Sequence, residues 1–560
     1  MSDIKEKTSP RGSEDNVKAS HDHHDVEAPG RQKHIGFEQS VVAAGTDTAL
    51  SRQLKSRHIA MISIGGVIGT GLFLGTAGAL KNGGPIGLLL GYTIMGSICY
   101  SVMISLGEMI AYLPISGGHI TLAARFVNPA FSFTMGWNYY YNWVIILPAE
   151  LAAAAVLINY WNKEINNAVW ITICLVVVVA INALGAGAYG TFTGEAEFIF
   201  ASIKVRLLVG LIILGIVLDL GGGPDHTRLG FTHWINPGPF VQYHDIPGDT
   251  GRFLGWWSVM TQAAFSFIGT EIVAIAAGEA KNPRRNIPRA IRRVYIRILI
   301  FYICGTFIIG LLVPSNDPGL DLKDKNAAAS PFVIAITRAG ISGLPSLINA
   351  CLLTSAWSAA SSDLYTSSRA LYGLALSGQA PRIFTKTAKN GLPWISFIFS
   401  ALFSFLAYMA INGSAGTVFG WFANMTAIAG LMTWFGICFT YIRFHKGMKA
   451  QGIDRTKLPY ASKLNPYAAW YALVWIIIIC FFSGFSVFLD GGWDTATFVT
   501  NYLPFALFPI LYFTMRLISR VPLIKPEDMD FQTGLAEIEA ATYDEPPPRN
   551  AFEKFWQWLM

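Results

Sequence analysis

Two short stretches of this chain bring together residues able to grip a small zwitterion. The first is Gly65-Gly66-Val67-Ile68-Gly69-Thr70-Gly71, four glycines within seven residues of an otherwise apolar run. The second is Phe265-Ser266-Phe267-Ile268-Gly269-Thr270-Glu271, a polar Ser-x-x-Gly-Thr-Glu cluster inside another apolar run. Each glycine costs a helix about 1 kcal/mol relative to alanine. Close packing through Gly65 and Gly69, or through Gly71 and Gly75, accounts for some of them, because each pair is spaced for one helix face. Packing does not require glycine on every face, so both stretches read as helices that unwind midway. An unwound helix frees amides at one new end and carbonyls at the other. Amides and the positive dipole end suit a carboxylate, and carbonyls suit an ammonium group. An α-amino acid carries both on one carbon. A dinucleotide-binding reading of Gly69-x-Gly71 fails, because no strand–helix unit surrounds it.

Ionisable side chains inside apolar runs form the second set: Glu150, Lys204, Arg206, Glu271 and Asp363. Charge in such a setting is costly, so these groups either pair or exchange protons. Lys204, Glu150 and Glu271 are the candidates for proton coupling. A static ion pair or a snorkelling side chain is the competing reading. Lys204 and Arg206 are two residues apart and project to nearly opposite helix faces, so they cannot both face one path. Glu108, Glu279 and Arg369 sit near the ends of apolar runs, where a structural or gating role is expected. No histidine, cysteine or carboxylate set has metal-ligand spacing, and no nucleophile–base pair stands out. Neither a catalytic residue nor a cofactor, metal or nucleic-acid partner is therefore expected, and the chain does not read as an enzyme. The six cysteines all lie in apolar stretches at irregular spacing and read as packing residues.

The elements that must position these residues are membrane helices. Of 560 residues, 52% are hydrophobic and only 14% charged, with a mean hydropathy of +0.43, too little charge to cover a soluble surface of this size. A bilayer core takes about 20 apolar residues per helix. Such runs fall at 59–79, 86–106, 131–160, 168–187, 196–219, 253–278, 294–314, 345–372, 394–412, 416–442, 468–489 and 499–518. The fold class is thus an all-α integral membrane protein of about twelve transmembrane helices. An even count puts both termini on one side, and 23 lysines and arginines flank that side against seven on the other, which makes the termini cytoplasmic. Residues 1–52 are polar, contain no signal-peptide core and read as a disordered cytoplasmic tail. In it His21-Asp22-His23-His24 is expected to be solvated rather than metal-bound. Residues 53–518 form the transmembrane domain and 519–560 a cytoplasmic C-terminal tail. The two unwinding stretches lie in spans one and six. A separation of five spans is what a 5+5 inverted repeat with two extra helices produces, and interrupted helices at matching places mark a transporter's midplane site.

At these residues the chain resembles the fungal amino-acid permeases of the amino acid–polyamine–organocation superfamily. The carrying motifs are GGVIGTGLFLGTAGAL (65–80), SLGEMIAYLPISGGHI (105–120), FSFIGTEIVAIAAGEAKNPRRNIPRAI (265–291) and SAASSDLYTSSRALYGLA (358–375), and the likeness runs from about 50 to 530. The resemblance implies a proton-coupled importer of the plasma membrane working by alternating access. Thr70 and Gly71 would meet the substrate carboxylate. Carbonyls near Val67, Ile68, Phe265, Ser266 and Ile268, with Gly69 in the same unwound segment, would complete the site, and Phe265 would cover the solute. Lys204 looks like a fifth-helix lysine that replaces a sodium ion in related transporters, and Glu150 matches an acid common in the fungal group. Lys5, Lys7, Lys18 and Lys33 look like acceptors for the ubiquitin machinery. Within the family, LGGGPDHTRLGF (220–231) and AAASPFVIAI (327–336) look most like the dicarboxylic permeases, which favours glutamate and aspartate. The alternatives are a broad-range or neutral permease and a non-transporting nutrient receptor. Val67 replaces a small hydroxyl residue frequent at its place, and Arg206 stands where an apolar residue is usual.

Overall fold

The computed structural model describes residues 69–115, 117–162, 164–185, 190–272, 298–321, 330–388, 391–411 and 414–540, with 291, 296 and 550. Among them every regular element is helical. A π-helical stretch, Gly71–Gly75, leads into α1 (Thr76–Tyr112), followed by α2 (Gly118–Phe126), α3 (Pro129–Ile158), α4 (Asn167–Gly185), α5 (Gly190–Asp219) and α6 (Gly248–Phe267). Next come α7 (Gly305–Leu312), entered through a π-helical Ile298–Cys304, then α8 (Pro331–Arg338) and α9 (Leu344–Leu376). The chain closes with α10 (Trp394–Leu402, continued as the 3-10 helix Phe403–Ile411), α11 (Ala415–Ala450), α12 (Tyr467–Phe482), α13 (Thr495–Ser519) and α14 (Leu535–Ala540).

Six of these stretches are long and apolar enough to cross a membrane: Gly71–Tyr112, Pro129–Ile158, Ile199–Asp219, Trp394–Ile411, Ala415–Ala450 and Thr495–Ser519. Two more long helices at expected span positions, α6 and α9, are more polar, which suits helices that line a site. α1 is two helices joined at a turn, with Gly84 at φ +73° ahead of Pro85, at the boundary read between spans one and two. α12 ends at Phe482 instead of 489, where the 3-10 turn Phe485–Phe488 takes over. The span ends are set by local chemistry. At α3, Asn128 caps the helix by accepting from the Phe131 amide at 2.8 Å, and Pro129 fills the first position, where no amide is needed.

Burial sorts the helices into an inner and an outer set. α3 and α11 are enclosed, and α3 packs along both α11 and α9, while α1 packs along α6. The outward faces of α5, α10, α12 and α13 instead carry exposed Ile213, Phe405, Phe481 and Phe513. The expectation that all six cysteines pack inside needs correction: Cys304 is exposed and Cys351 half-buried. At one end of the bundle the turn after residue 81 meets the 220–252 loop, Ile86 N donating to Pro239 O, and Lys81 pairs with Asp321 at 2.6 Å. At the other end α2, the segment after α11 and the chain after α13 meet, with Ile524 N donating to Val127 O.

Candidate functional site

The sixth span breaks. α6 is helical to Phe267, then Ile268 turns extended (φ −60°, ψ 145°) and Gly269 takes φ +95°, which glycine adopts without a steric penalty. The interruption is narrower than the stretch 265–271, because Phe265 and Ser266 still belong to α6. Glu271 closes it with its own side chain: Oε2 accepts from the Gly269 amide at 3.1 Å and from Trp434 Nε1 of α11 at 3.1 Å. Glu271 is fully buried, and its Oε1 has no hydrogen-bond partner. Two tyrosines fix the last turn of α6. Tyr302 donates to the Ser266 carbonyl at 2.9 Å, and Tyr92 shares a hydrogen bond with the Ser266 hydroxyl at 2.8 Å. The Ser266 carbonyl, read from sequence as open to a solute, thus holds an internal partner, as does the Gly269 amide.

The first span meets this place directly. A Cβ on Gly71 would lie 2.9 Å from Ser266 Cα and 3.1 Å from Phe265 Cδ1, so glycine is what lets the two backbones approach. Thr70 donates its hydroxyl to Glu150 Oε1 of α3 at 2.8 Å, and a Cβ on Gly69 would stand 3.5 Å from the same oxygen. Thr70, Gly71, Glu150, Phe265 and Ser266 are therefore brought together from spans one, three and six. Val67 and Ile68 lie outside the described residues, as do the N-terminal lysines and Glu279. The Phe265 ring stands edge-on to Phe419 of α11 at 5.8 Å, and Ile268 presses on Gly430 of the same helix.

Glu150 also lies at a second meeting point. Lys204 of α5 and Asp363 of α9 are buried and interact electrostatically with it, the lysine attracting both carboxylates and these repelling each other. The opposite-face expectation for Arg206 holds in its geometry: Lys204 is buried and Arg206 exposed. Glu108, at the end of α1, belongs to a separate cluster. Arg455 reaches both of its oxygens, at 2.6 and 2.9 Å, and Tyr441, the Ser462 amide and Asn465 supply further donors. That carboxylate holds the Arg455 guanidinium above its ordinary value. Among the described residues no three His, Cys, Asp or Glu lie close enough to hold a metal ion. Trp434, Tyr92, Tyr302 and Tyr139 were not read from the sequence; polar-tipped aromatics inside apolar spans are the one signal that points to them.

A family described as Amino acid permease matches residues 58–525. A proline-specific permease of Emericella nidulans is 42% identical over 521 residues, which cover 91% of this chain and 94% of that protein. A dicarboxylic amino acid permease of Saccharomyces cerevisiae is 43% identical over 493 residues, 87% of this chain and 80% of the relative. A lysine-specific permease of the same yeast is 40% identical over 514 residues, 91% of this chain and 83% of the relative. By name these relatives are permeases, not enzymes, and they are fungal, as the motifs implied.

Proposed function

The chain belongs to the amino acid permease family, and from that premise we propose that it is a proton-coupled amino-acid importer of the plasma membrane. One observation carries the reading: a broken sixth span whose last turn touches Gly71, while Thr70 beside it holds the buried Glu150. Here the solute's carboxylate meets the Thr70–Gly71 segment and its ammonium meets the last-turn carbonyls of α6, with Phe265 as cover. The Val67–Ile68 carbonyls and Gly69 complete the unwound side. Coupling runs through Glu150, Lys204 and Glu271, whose burial makes a change of charge costly unless it accompanies a conformational step. Twelve spans in a 5+5 inverted repeat with two added helices, both termini cytoplasmic, give the alternating-access frame, and N-terminal lysines serve the ubiquitin machinery.

Acidic amino acids are the favoured substrates, on the loop motifs shared with dicarboxylic permeases. A broad or neutral range is the second reading, supported by the near-equal identity to relatives named for proline and lysine. The test is uptake of labelled glutamate, proline and leucine in cells lacking their own permeases, with and without a protonophore. Concentrative glutamate uptake that the protonophore collapses is expected. Accumulation indifferent to the protonophore removes the coupling, preference for proline or leucine removes the acidic assignment, and binding without flux makes the protein a receptor.

A further inference from the structure

We propose that Asn138 of α3 is a positioning residue for transport, holding a stretch of α11 at the rotation that lets Trp434 donate to Glu271. The inference rests on the proton-coupling reading above and adds a residue that reading does not use. It starts from two faces of α11. Ala429, Thr433 and Gly436 recur at helical spacing and meet α3. The buried Asn138 amide donates to the Ala429 carbonyl at 2.8 Å and to the Thr433 hydroxyl at 2.9 Å. Three residues earlier on the same face of α3, Met135 seats its sulfur where a Cβ on Gly436 would stand. Gly430 and Trp434 each lie one residue further along α11, about 100° round the helix. They meet the broken span: Gly430 leaves room for the Ile268 side chain, and Trp434 Nε1 donates to Glu271 Oε2 at 3.1 Å. This stretch of α11 is therefore gripped by α3 on one face and carries the break on the next.

Packing alone does not fix that arrangement. Met135 against Gly436 resists separation of the two helices, but apolar contact is non-directional and leaves α11 free to rotate by a fraction of a turn. Hydrogen bonds are directional. The Ala429 carbonyl can only accept, so the Asn138 nitrogen must face it, and its two hydrogens go one to that carbonyl and one to the Thr433 oxygen. The Thr433 hydroxyl in turn donates to the Ala429 carbonyl at 3.3 Å, which closes the set. A polar group between apolar helices fixes their register in this way. Register matters at Trp434, because an indole N–H reaches a carboxylate oxygen from a narrow range of directions. It matters equally to Glu271. Past Ile268 the sixth span has left its helix, and Oε2 takes donors from the Gly269 amide and from Trp434.

The experiment uses the full chain in vesicles and whichever of labelled glutamate, proline and lysine the wild type accumulates most. Asn138→Ala, Trp434→Phe and the double variant are compared. Asn138→Ala is expected to lose about fivefold in accumulation driven by a pH gradient. Exchange of labelled for unlabelled substrate at equal concentration, which needs no net proton release, should stay within about twofold. The double variant should accumulate within about twofold of Trp434→Phe alone, because once the donor is gone its placement no longer matters. Where Asn138→Ala does not fold, Thr433→Val keeps the side-chain shape and the Asn138–Ala429 bond, and it should lose accumulation alone but add no loss to Trp434→Phe. Wild-type accumulation in the single variant overturns the proposal. So does a double variant whose loss is the product of the two singles, or equal loss of exchange and accumulation, which would make Asn138 a purely structural clamp. Wild-type accumulation that ignores a protonophore is the distinct result that removes the coupling reading itself, and the role of Asn138 with it.

Discussion

Gly71→Ala tests the contact on which the proposed site depends. The added methyl would lie 2.9 Å from Ser266 Cα, 3.0 Å from its Oγ and 3.1 Å from Phe265 Cδ1, whereas ordinary contact begins at 3.4 Å. The first-span segment must therefore retreat by about half an ångström from a backbone atom, and Ser266 cannot yield easily because Tyr92 and Tyr302 hold it. Overpacking of this kind costs about 1–3 kcal/mol, which corresponds to roughly a five- to 150-fold loss wherever the two spans must touch. Gly75→Ala is the matched control. Its methyl meets nothing within 4 Å, and a helical glycine replaced by alanine gains about 0.4–1 kcal/mol. Initial uptake rates and detergent melting of both variants give the answer. Gly71→Ala should lose transport and melt lower, while Gly75→Ala should match or exceed wild type. Transport and melting of Gly71→Ala at wild-type levels would refute the close approach of spans one and six.

Trp434→Phe keeps an aromatic ring, smaller than the indole, and removes the donor to Glu271; a hydrogen bond to a charged group contributes about 1.5–3 kcal/mol, so concentrative uptake should drop about tenfold or more. Unchanged uptake would separate Glu271 from the transport step. Lys204→Ala and Glu271→Gln should each abolish accumulation driven by a pH gradient, and the proton assignment is wrong if both variants concentrate substrate as the wild type does. Arg455→Ala strands the buried Glu108 carboxylate. Breaking such a pair costs about 3–5 kcal/mol, lowered here because Arg455 is a quarter exposed, so the melting temperature should fall and Glu108→Gln in the same chain should restore part of it. Melting at the wild-type temperature would mean the pair contributes nothing.

Local patterns carried the fold further than the site. The break at Ile268–Thr270 was legible because Gly-Thr-Glu is improbable chemistry for the middle of an apolar helix, and the opposite exposures of Lys204 and Arg206 follow from helical period alone. The partners were not legible. Trp434 lies far along the chain from Glu271, and only the packing of α11 against the broken span sets them side by side. Tyr92 and Tyr302 converge on Ser266 from two different helices, a meeting no local pattern encodes. The sequence also carries no sign of which opened peptide groups find partners inside the protein. Glu271 is near enough in sequence to reach back and occupy the Gly269 amide, so the broken helix caps one of its own new ends.

The third helix shows how one rigid element could serve both cargoes of the proposed symport cycle. Tyr139 and Glu150 stand eleven residues apart, about three helical turns, so they lie on one stripe of α3 about 16 Å from each other. Glu150 holds the first span through Thr70, while Glu271 closes the break of the sixth. α3 is itself enclosed by α9 and α11. Movement of span one or span six therefore changes the surroundings of a buried carboxylate and of the backbone groups proposed to hold the solute in the same stroke. In the proposed cycle the solute and the proton then need no separate linkage, because the Thr70–Glu150 contact joins the segment proposed to meet the solute to a buried carboxylate.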